Sequence, residues 1–180
     1  CMFNLDQIVN SKLLDYNKYG VIEIPEMPEK SLITVFLNPF TYNDFLEITN
    51  KLSDRDVIFR IAFYYEHRIY ITNYYKKTWY NPCPVCFFSN LRAALNSYSN
   101  VSGSLSFQNL LELIYEKDPG FKLQVNLNNR SILNLIYLIS TTIDIDDNYK
   151  VNNTYVFDYI NNIYGSDRAF YWDLCDCYEK

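Results

Sequence analysis

Two pairs of cysteines are the residues of this sequence whose type and spacing could hold a metal ion. Cys83 and Cys86 stand in the segment YNPCPVCFF, and Cys175 and Cys177 stand in LCDCYEK. Thiolates separated by a few residues can bind the same zinc ion, and a structural zinc site takes four such ligands. The spacing therefore predicts a structural zinc site made of these four cysteines. A site closed by four thiolates has no open position for a substrate.

Other chemistry remains open for the same cysteines. Phe87 and Phe88 follow the first pair, where zinc knuckles usually carry glycine, and Asp173 or Asp176 could replace one thiolate. The thiols could instead be reduced and buried, because free cysteine is among the most buried residue types. They could also form a redox pair at a helix N-terminus, where the thiol pKa falls. A fifth cysteine, Cys1, makes the number odd and weakens the case for a secreted disulfide framework.

The composition argues against several classes of enzyme. The 180 residues include only 4 Gly and a single His, and no glycine-rich phosphate-binding motif or G-x-S-x-G motif occurs. Backbone approach to a phosphate needs glycine, and most nucleophilic triads need histidine. That histidine, His67, lies between two segments with strand character and is interpreted as a turn residue. We therefore favour a non-enzymatic role, although enzyme function stays open.

Aromatic and basic residues alternate in the middle of the chain, and they suggest a binding surface. Tyrosine and tryptophan provide large contact areas at low entropic cost, which makes them common anchors of protein interfaces. The leading hypothesis is a protein-binding module, such as an inhibitor, an immunity or immune-evasion factor, or a complex subunit. The predicted partner-binding residues are Tyr64, Arg68, Tyr70, Tyr74, Tyr75, Lys76, Lys77 and Trp79.

Two alternatives use the same part of the chain. The basic aromatic segment 57–92 could bind single-stranded nucleic acid, because bases stack on aromatic rings. The net charge of −5 opposes this for the molecule as a whole. A metal-dependent hydrolase is the second alternative, and it would need a carboxylate cluster. The acids that could form this cluster are Asp44, Glu47, Asp54 and Asp56.

The hydrophobic pattern predicts an α+β fold. Alternating apolar residues in DVIFRIAFYYEHRIYITNYY indicate a central β-hairpin at about 56–75. Helices are predicted from Thr41, Pro84, Ser106, Ser131 and Thr154, and strands at 31–37 and 121–127. The expected fold is a mixed or antiparallel sheet whose hairpin packs against five or six helices.

Length and composition set the organisation of the chain. A chain of 180 residues with 49% hydrophobic residues predicts one folded domain over 1–180. Residues 1–20 are expected to form a peripheral N-terminal helix, and 166–180 a C-terminal tail packed on the core. No apolar run is long enough to span a bilayer and no signal peptide is visible, so we expect an intracellular protein, in the cytoplasm of its own cell or of a host.

Overall fold

The computed structural model describes residues 32–38, 40–99, 107–118, 121, 128–142 and 151–178. The helix expected at 1–20 lies outside the described residues. The strand expected at 121–127 also lies outside them, apart from its first residue.

The strands form one mixed sheet of five strands in the order β1-β2-β3-β4-β5. β1 and β2 pair in parallel, and the remaining neighbours pair antiparallel. The strands are β1 (Leu32–Leu37), β2 (Ile58–Tyr65), β3 (Arg68–Ile71), β4 (Asn153–Asp158) and β5 (Ile163–Arg168).

The predicted hairpin is confirmed by the pairing of β2 with β3. Tyr65 lies opposite Arg68, so Glu66 and His67 form the connection. Glu66 has a φ of 57°, in the left-handed region that tight hairpin turns use. His67 is therefore a turn residue, as the sequence predicted.

The described residues form four α-helices, named α1 to α4 in chain order. The side chain of Thr41 accepts a hydrogen bond from the backbone N–H of Asp44 and begins α1. Asn128 caps α4 in the same way, through the N–H of Ser131. None of these helices is both long and apolar enough to cross a membrane. The helices are α1 (Tyr42–Ser53), α2 (Pro84–Ser99), α3 (Phe107–Lys117) and α4 (Asn129–Thr141).

The sheet has a packed apolar layer on each face, because side chains of a strand alternate between faces. Phe59, Ile61 and Phe63 of β2 join a core that includes buried residues of α1 and α2. Ala62 and Tyr64 point the other way and join a second core with α4. β2 therefore lies at the centre of the molecule, with helices on both sides.

The predicted arrangement of five or six helices on a hairpin is wrong. The segment from Thr154 to Gly165 is predicted as a helix, but most of β4 and the first half of β5 occupy it. Phe157 and Ile160 happen to recur at helical spacing, while Thr154, Val156 and Phe157 also suit a strand. Pairing with β3 decides the outcome, since strand formation depends on neighbours more than on local preference.

Candidate metal centre

The first cysteine pair lies at the beginning of α2. Cys83 directly precedes Pro84, and proline suits the first turn of a helix because it lacks an N–H that would go unbonded there. Residues three apart lie on the same side of a helix, so Cys83 and Cys86 are neighbours. Both are buried, with exposures of 4% and 0%.

The second pair comes to the first from the C-terminal tail. Cys175 Sγ lies 3.6 Å from Cys83 Sγ, and Cys177 Sγ lies 3.4 Å from Cys86 Sγ. The sulfurs of Cys83 and Cys86 are 3.8 Å apart, and all four sulfurs lie within 4.8 Å of one another. Four sulfurs bound tetrahedrally at about 2.3 Å from zinc would be about 3.8 Å apart. The residues thus fit a tetrathiolate metal site in both chemistry and spacing.

Backbone N–H groups support the sulfurs although no glycine follows Cys86. The N–H of Cys86 bonds to the sulfur of Cys83, and that of Cys83 bonds to the sulfur of Cys177. The N–H of Trp172 bonds to the sulfur of Cys86. Backbone N–H groups in the first turn of a helix have no partner inside the helix. At the start of α2 such groups therefore bond to the sulfurs, which is the role expected of the glycine N–H groups in a zinc knuckle.

Cys83, Cys86 and Cys177 differ in the pKa values of their thiols. A hydrogen bond from the Cys83 thiol, helped by the Trp172 N–H, lowers the pKa of Cys86 to about 5. The same hydrogen bond, followed by burial, raises the pKa of Cys83 above its usual range. Burial raises the pKa of Cys177 to about 12. Of these three thiols, that of Cys86 therefore loses its proton most readily.

The tail is also held by contacts that do not involve sulfur. The side-chain amide of Asn90 donates to the carbonyl of Cys86 at 2.9 Å and to that of Phe170 at 3.0 Å. The Tyr171 hydroxyl donates to the carbonyl of Tyr80. Trp172 packs against the core on the α1 and α2 side of the sheet. These contacts bring the tail to the start of α2 and so position its two cysteines.

The tyrosines predicted to bind a partner are mostly inside the molecule. Tyr64, Tyr70, Tyr74 and Tyr75 are each exposed by 5% or less. Tyr64 bonds through its hydroxyl to Tyr159 at 2.6 Å. Tyr70 lies in β3, and Tyr74 and Tyr75 follow that strand. Rings buried in this way offer no surface to a protein or to a nucleic-acid base, so the expected Tyr-rich surface does not form at these residues. Their aromatic alternation reflected a sheet with a packed layer on each face.

The remaining predicted partner-binding residues reach the surface. Lys76 bonds to Asp56 at 2.5 Å, while Arg68 and Lys77 lie 3.5 Å from acidic side chains. Trp79 is 37% exposed. These four residues lie outside the cores, and a binding role for them stays a prediction.

The carboxylates considered for a hydrolase do not converge. Glu47 pairs with a lysine of its own helix, and Asp54 and Asp56 pair with lysines after β3. Asp44 lies in the first turn of α1. In the described part of the chain, the four cysteines are the only group of three or more potential metal ligands.

Two residues of structural importance were missed by sequence reasoning. Arg60 is fully buried, and Asp158 is 7% exposed. Strict alternation in β2 placed Arg60 on one face of the sheet, but nothing in the sequence said that this face is covered. The signal for Asp158 was the sequence DYINN, because aspartate often accepts backbone hydrogen bonds at the start of a turn.

The fold and the cysteine cluster together define a class of protein: an α+β domain with a mixed sheet, whose tail is joined to a helix start by four thiols. Residues 3–179 match the family of the microcin B17-processing protein McbB. Because the match spans nearly the whole chain, this protein belongs to the McbB family.

Solved structures agree with this fold. A chain of the E. coli microcin synthetase McbBCD complex is similar with a TM-score of 0.67 and 19% identity, covering 86% of this chain and 55% of that chain. The same complex with pro-MccB17 bound gives a TM-score of 0.60 and 19% identity, covering 88% and 59%. This chain therefore spans less than two thirds of the length of those chains. The search of curated proteins finds no match.

Proposed function

We propose that this protein is a non-catalytic subunit of a complex that processes a microcin-like peptide, and that a structural zinc ion fixes its tail. The observation that carries the proposal is the family match over residues 3–179. The similar solved chains belong to a microcin synthetase complex, which supports a role as one component among several. An intracellular location is part of the proposal, because reduced cysteines persist in a reducing compartment.

The site geometry supports a structural rather than a catalytic metal. Zinc at this position would take Cys83, Cys86, Cys175 and Cys177 as its ligands. A four-thiolate site leaves no coordination position for water or substrate. The chemistry that zinc supplies in such a site is cross-linking of chain segments. The residues of this chain contribute the sulfurs and the N–H groups that orient them.

The subunit proposal is tested by co-purification. The tagged full chain is purified from cells that also express the genes next to its own. The bound proteins are then identified by mass spectrometry. We expect proteins related to the other two components of the McbBCD complex in stable stoichiometry. Purification of the chain alone, or with nucleic acid that salt removes, would contradict the proposal.

The zinc proposal is tested by metal analysis of protein purified without chelator. We expect about one zinc ion per chain, and loss of the metal in a Cys175→Ser/Cys177→Ser double variant. Cys1→Ser is the matched control, since it removes the one cysteine of the sequence that is not proposed as a ligand. A metal content near zero in the wild-type protein, or an unchanged content in the double variant, ends the zinc proposal.

A further inference from the structure

The four sulfurs of the cysteine cluster differ in their access to solvent. Cys83 and Cys86 are buried, whereas Cys175 and Cys177 of the tail are only half-buried. A small oxidant dissolved in water therefore meets the tail sulfurs first. Cysteine oxidation follows thiolate character and exposure, and in redox-sensing proteins the accessible sulfur often lies next to a second cysteine.

Each tail sulfur has a buried sulfur beside it. Cys175 Sγ lies 3.6 Å from Cys83 Sγ, and Cys177 Sγ lies 3.4 Å from Cys86 Sγ. A disulfide bond is about 2.05 Å long, so the two sulfurs of each pair have to approach by about 1.5 Å. The sulfurs of Cys83 and Cys86 are 3.8 Å apart, but neither of them meets the oxidant first. The arrangement therefore favours disulfides between the tail and the start of α2.

Contacts that do not involve sulfur hold the tail in place while its cysteines react. The side-chain amide of Asn90 donates to the carbonyl of Phe170 at 3.0 Å, and the Tyr171 hydroxyl donates to the carbonyl of Tyr80. Trp172 packs against the core on the α1 and α2 side of the sheet. The loss of one thiolate therefore leaves the tail against α2, with the buried sulfur still beside the oxidised one.

We propose that the cysteine cluster is a site of oxidation by hydrogen peroxide, and that its product is a pair of disulfides, Cys83–Cys175 and Cys86–Cys177. Each disulfide joins the tail to the start of α2. This inference goes beyond the proposed subunit role, because it concerns the thiols themselves and does not depend on which metal they bind.

The reaction balances within each pair of sulfurs. The tail thiolate attacks one oxygen of hydrogen peroxide, the O–O bond breaks, and the departing hydroxide takes up a proton to give water. The buried thiolate then attacks the sulfur of the sulfenic acid, the S–S bond forms, and the S–O bond breaks. The second hydroxide also leaves as water after taking up a proton. Two electrons thus pass from the pair of sulfurs to the peroxide, and a dithiol reductant returns them by thiol–disulfide exchange.

The oxidised chain keeps its tail attached by covalent bonds. A metal binds cysteine through the thiolate, so sulfurs that form disulfides no longer hold it. The cross-link between the tail and α2 therefore passes from the metal to the disulfides. The buried partners also protect the tail cysteines from further oxidation to sulfinic acid, which is not reversed by thiols.

Peptide mapping of the full chain tests the proposal. Trypsin cleaves after lysine and arginine, so the first cysteine pair lies in the peptide 78–92 and the second pair in 169–180. The chain is treated with hydrogen peroxide, its remaining thiols are alkylated, and it is digested without reductant. We expect the two peptides in one linked species that dithiothreitol separates. Separate peptides, whether they carry internal disulfides, free thiols or sulfinic acids, overturn the proposal.

Two double variants report which sulfurs pair. Both also carry Cys1→Ser, so that only cysteines of the proposed site remain. Cys83→Ser/Cys175→Ser keeps Cys86 with its neighbour Cys177, and Cys83→Ser/Cys177→Ser keeps Cys86 with Cys175. The first variant should link its two peptides several-fold faster than the second, since its two sulfurs are the proposed pair. Equal rates overturn the pairing.

Hydrogen exchange gives a reading that needs no variant. We expect the amides of 169–178 to exchange as slowly in the oxidised wild-type chain as in the untreated one, because the disulfides hold the tail. Faster exchange after oxidation overturns the proposal. Metal analysis of the same samples separates this proposal from the zinc proposal. Untreated protein without zinc ends the zinc proposal, while linked peptides from that protein still support the oxidation site.

Discussion

At the scale of single residues, the carboxylate of Asp158 joins the β2–β3 hairpin to the β4–β5 hairpin. It accepts from the N–H groups of Ile160 and Asn161 at 3.1 and 2.9 Å, in the turn between β4 and β5. It also lies 3.3 Å from His67 and 3.5 Å from Arg68, at the β2–β3 turn. The Asn161 backbone bond, together with its side-chain amide and the two basic groups, lowers the pKa of Asp158 to about 2.

Stability should therefore depend on pH through this residue. A carboxyl group with a lower pKa in the folded state stabilises the fold above its unfolded pKa of about 3.9, and this contribution is lost as the pH falls towards 2. We expect Asp158→Asn to be less stable than wild type at pH 7 and to approach it at pH 3. Urea unfolding at the two pH values measures both differences.

Glu116→Gln is the control for this pH dependence, because Glu116 is exposed on α3. It should shift the stability little at either pH. An Asp158→Asn variant with the same deficit at pH 3 as at pH 7 would show that the carboxylate acts through shape and not through charge.

At the scale of single residues, the sequence predicted the position of those side chains whose chemistry has few uses in proteins. C-x-x-C and C-x-C have few structural uses, so the cysteines could be paired before any fold was known, although their metal stays a prediction. Tyrosine occurs both in protein cores and on protein surfaces. Whether Tyr70 or Tyr74 is exposed depends on which helix covers it, and the sequence does not specify that.

Arg60 acts at the scale of elements, because it joins the centre of the sheet to the end of α4. Its guanidinium donates to the Thr142 hydroxyl at 2.7 Å, to the carbonyl of Ile139 at 2.9 Å and to the Thr34 hydroxyl of β1 at 3.0 Å. The charge lies 4.5 Å from the ring centre of Tyr74. The last carbonyls of a helix lack partners and carry partial negative charge, so a buried cation suits this place.

Arg60→Met should therefore loosen α4 from the sheet. Methionine fills much of the volume but leaves the carbonyl of Ile139 and two hydroxyls without their donor. We expect a loss of about 3 kcal/mol in the free energy of unfolding and faster hydrogen exchange in α4. Urea unfolding and hydrogen exchange by mass spectrometry measure the two effects.

Arg130→Met is the matched control, since Arg130 is exposed at the start of the same helix. It should change stability by less than about 0.5 kcal/mol. Equal exchange rates in α4 of wild type and Arg60→Met would contradict the anchoring role.

The sequence predicted helices and strands correctly where the local signals agreed. It failed where pairing with a distant strand determines the secondary structure. Thr41 and Pro84 mark helix starts that the structure confirms to within a residue. The β4–β5 segment carries a helix-like repeat and a strand-like composition at once. Its pairing with β3 links residues far apart in the chain, and no local pattern contains that information.

At the scale of the whole molecule, both halves of the described chain contribute strands to the sheet. The C-terminal tail returns to the start of α2 through its two cysteines. The low glycine and histidine content favours a role without catalysis, and membership of the McbB family leaves that role a proposal. The family could not be predicted from composition, because it rests on similarity along the whole chain.

The cysteine cluster also sets an order of events during synthesis. Its two halves are separated by 91 or 92 residues, and a ribosome adds about 5–20 residues per second. The first pair is thus made roughly 5–20 s before the second. During this interval Cys83 and Cys86 are a two-thiol site open to oxidants and to competing ions. The four thiols can therefore come together only where the first pair is not oxidised during this interval.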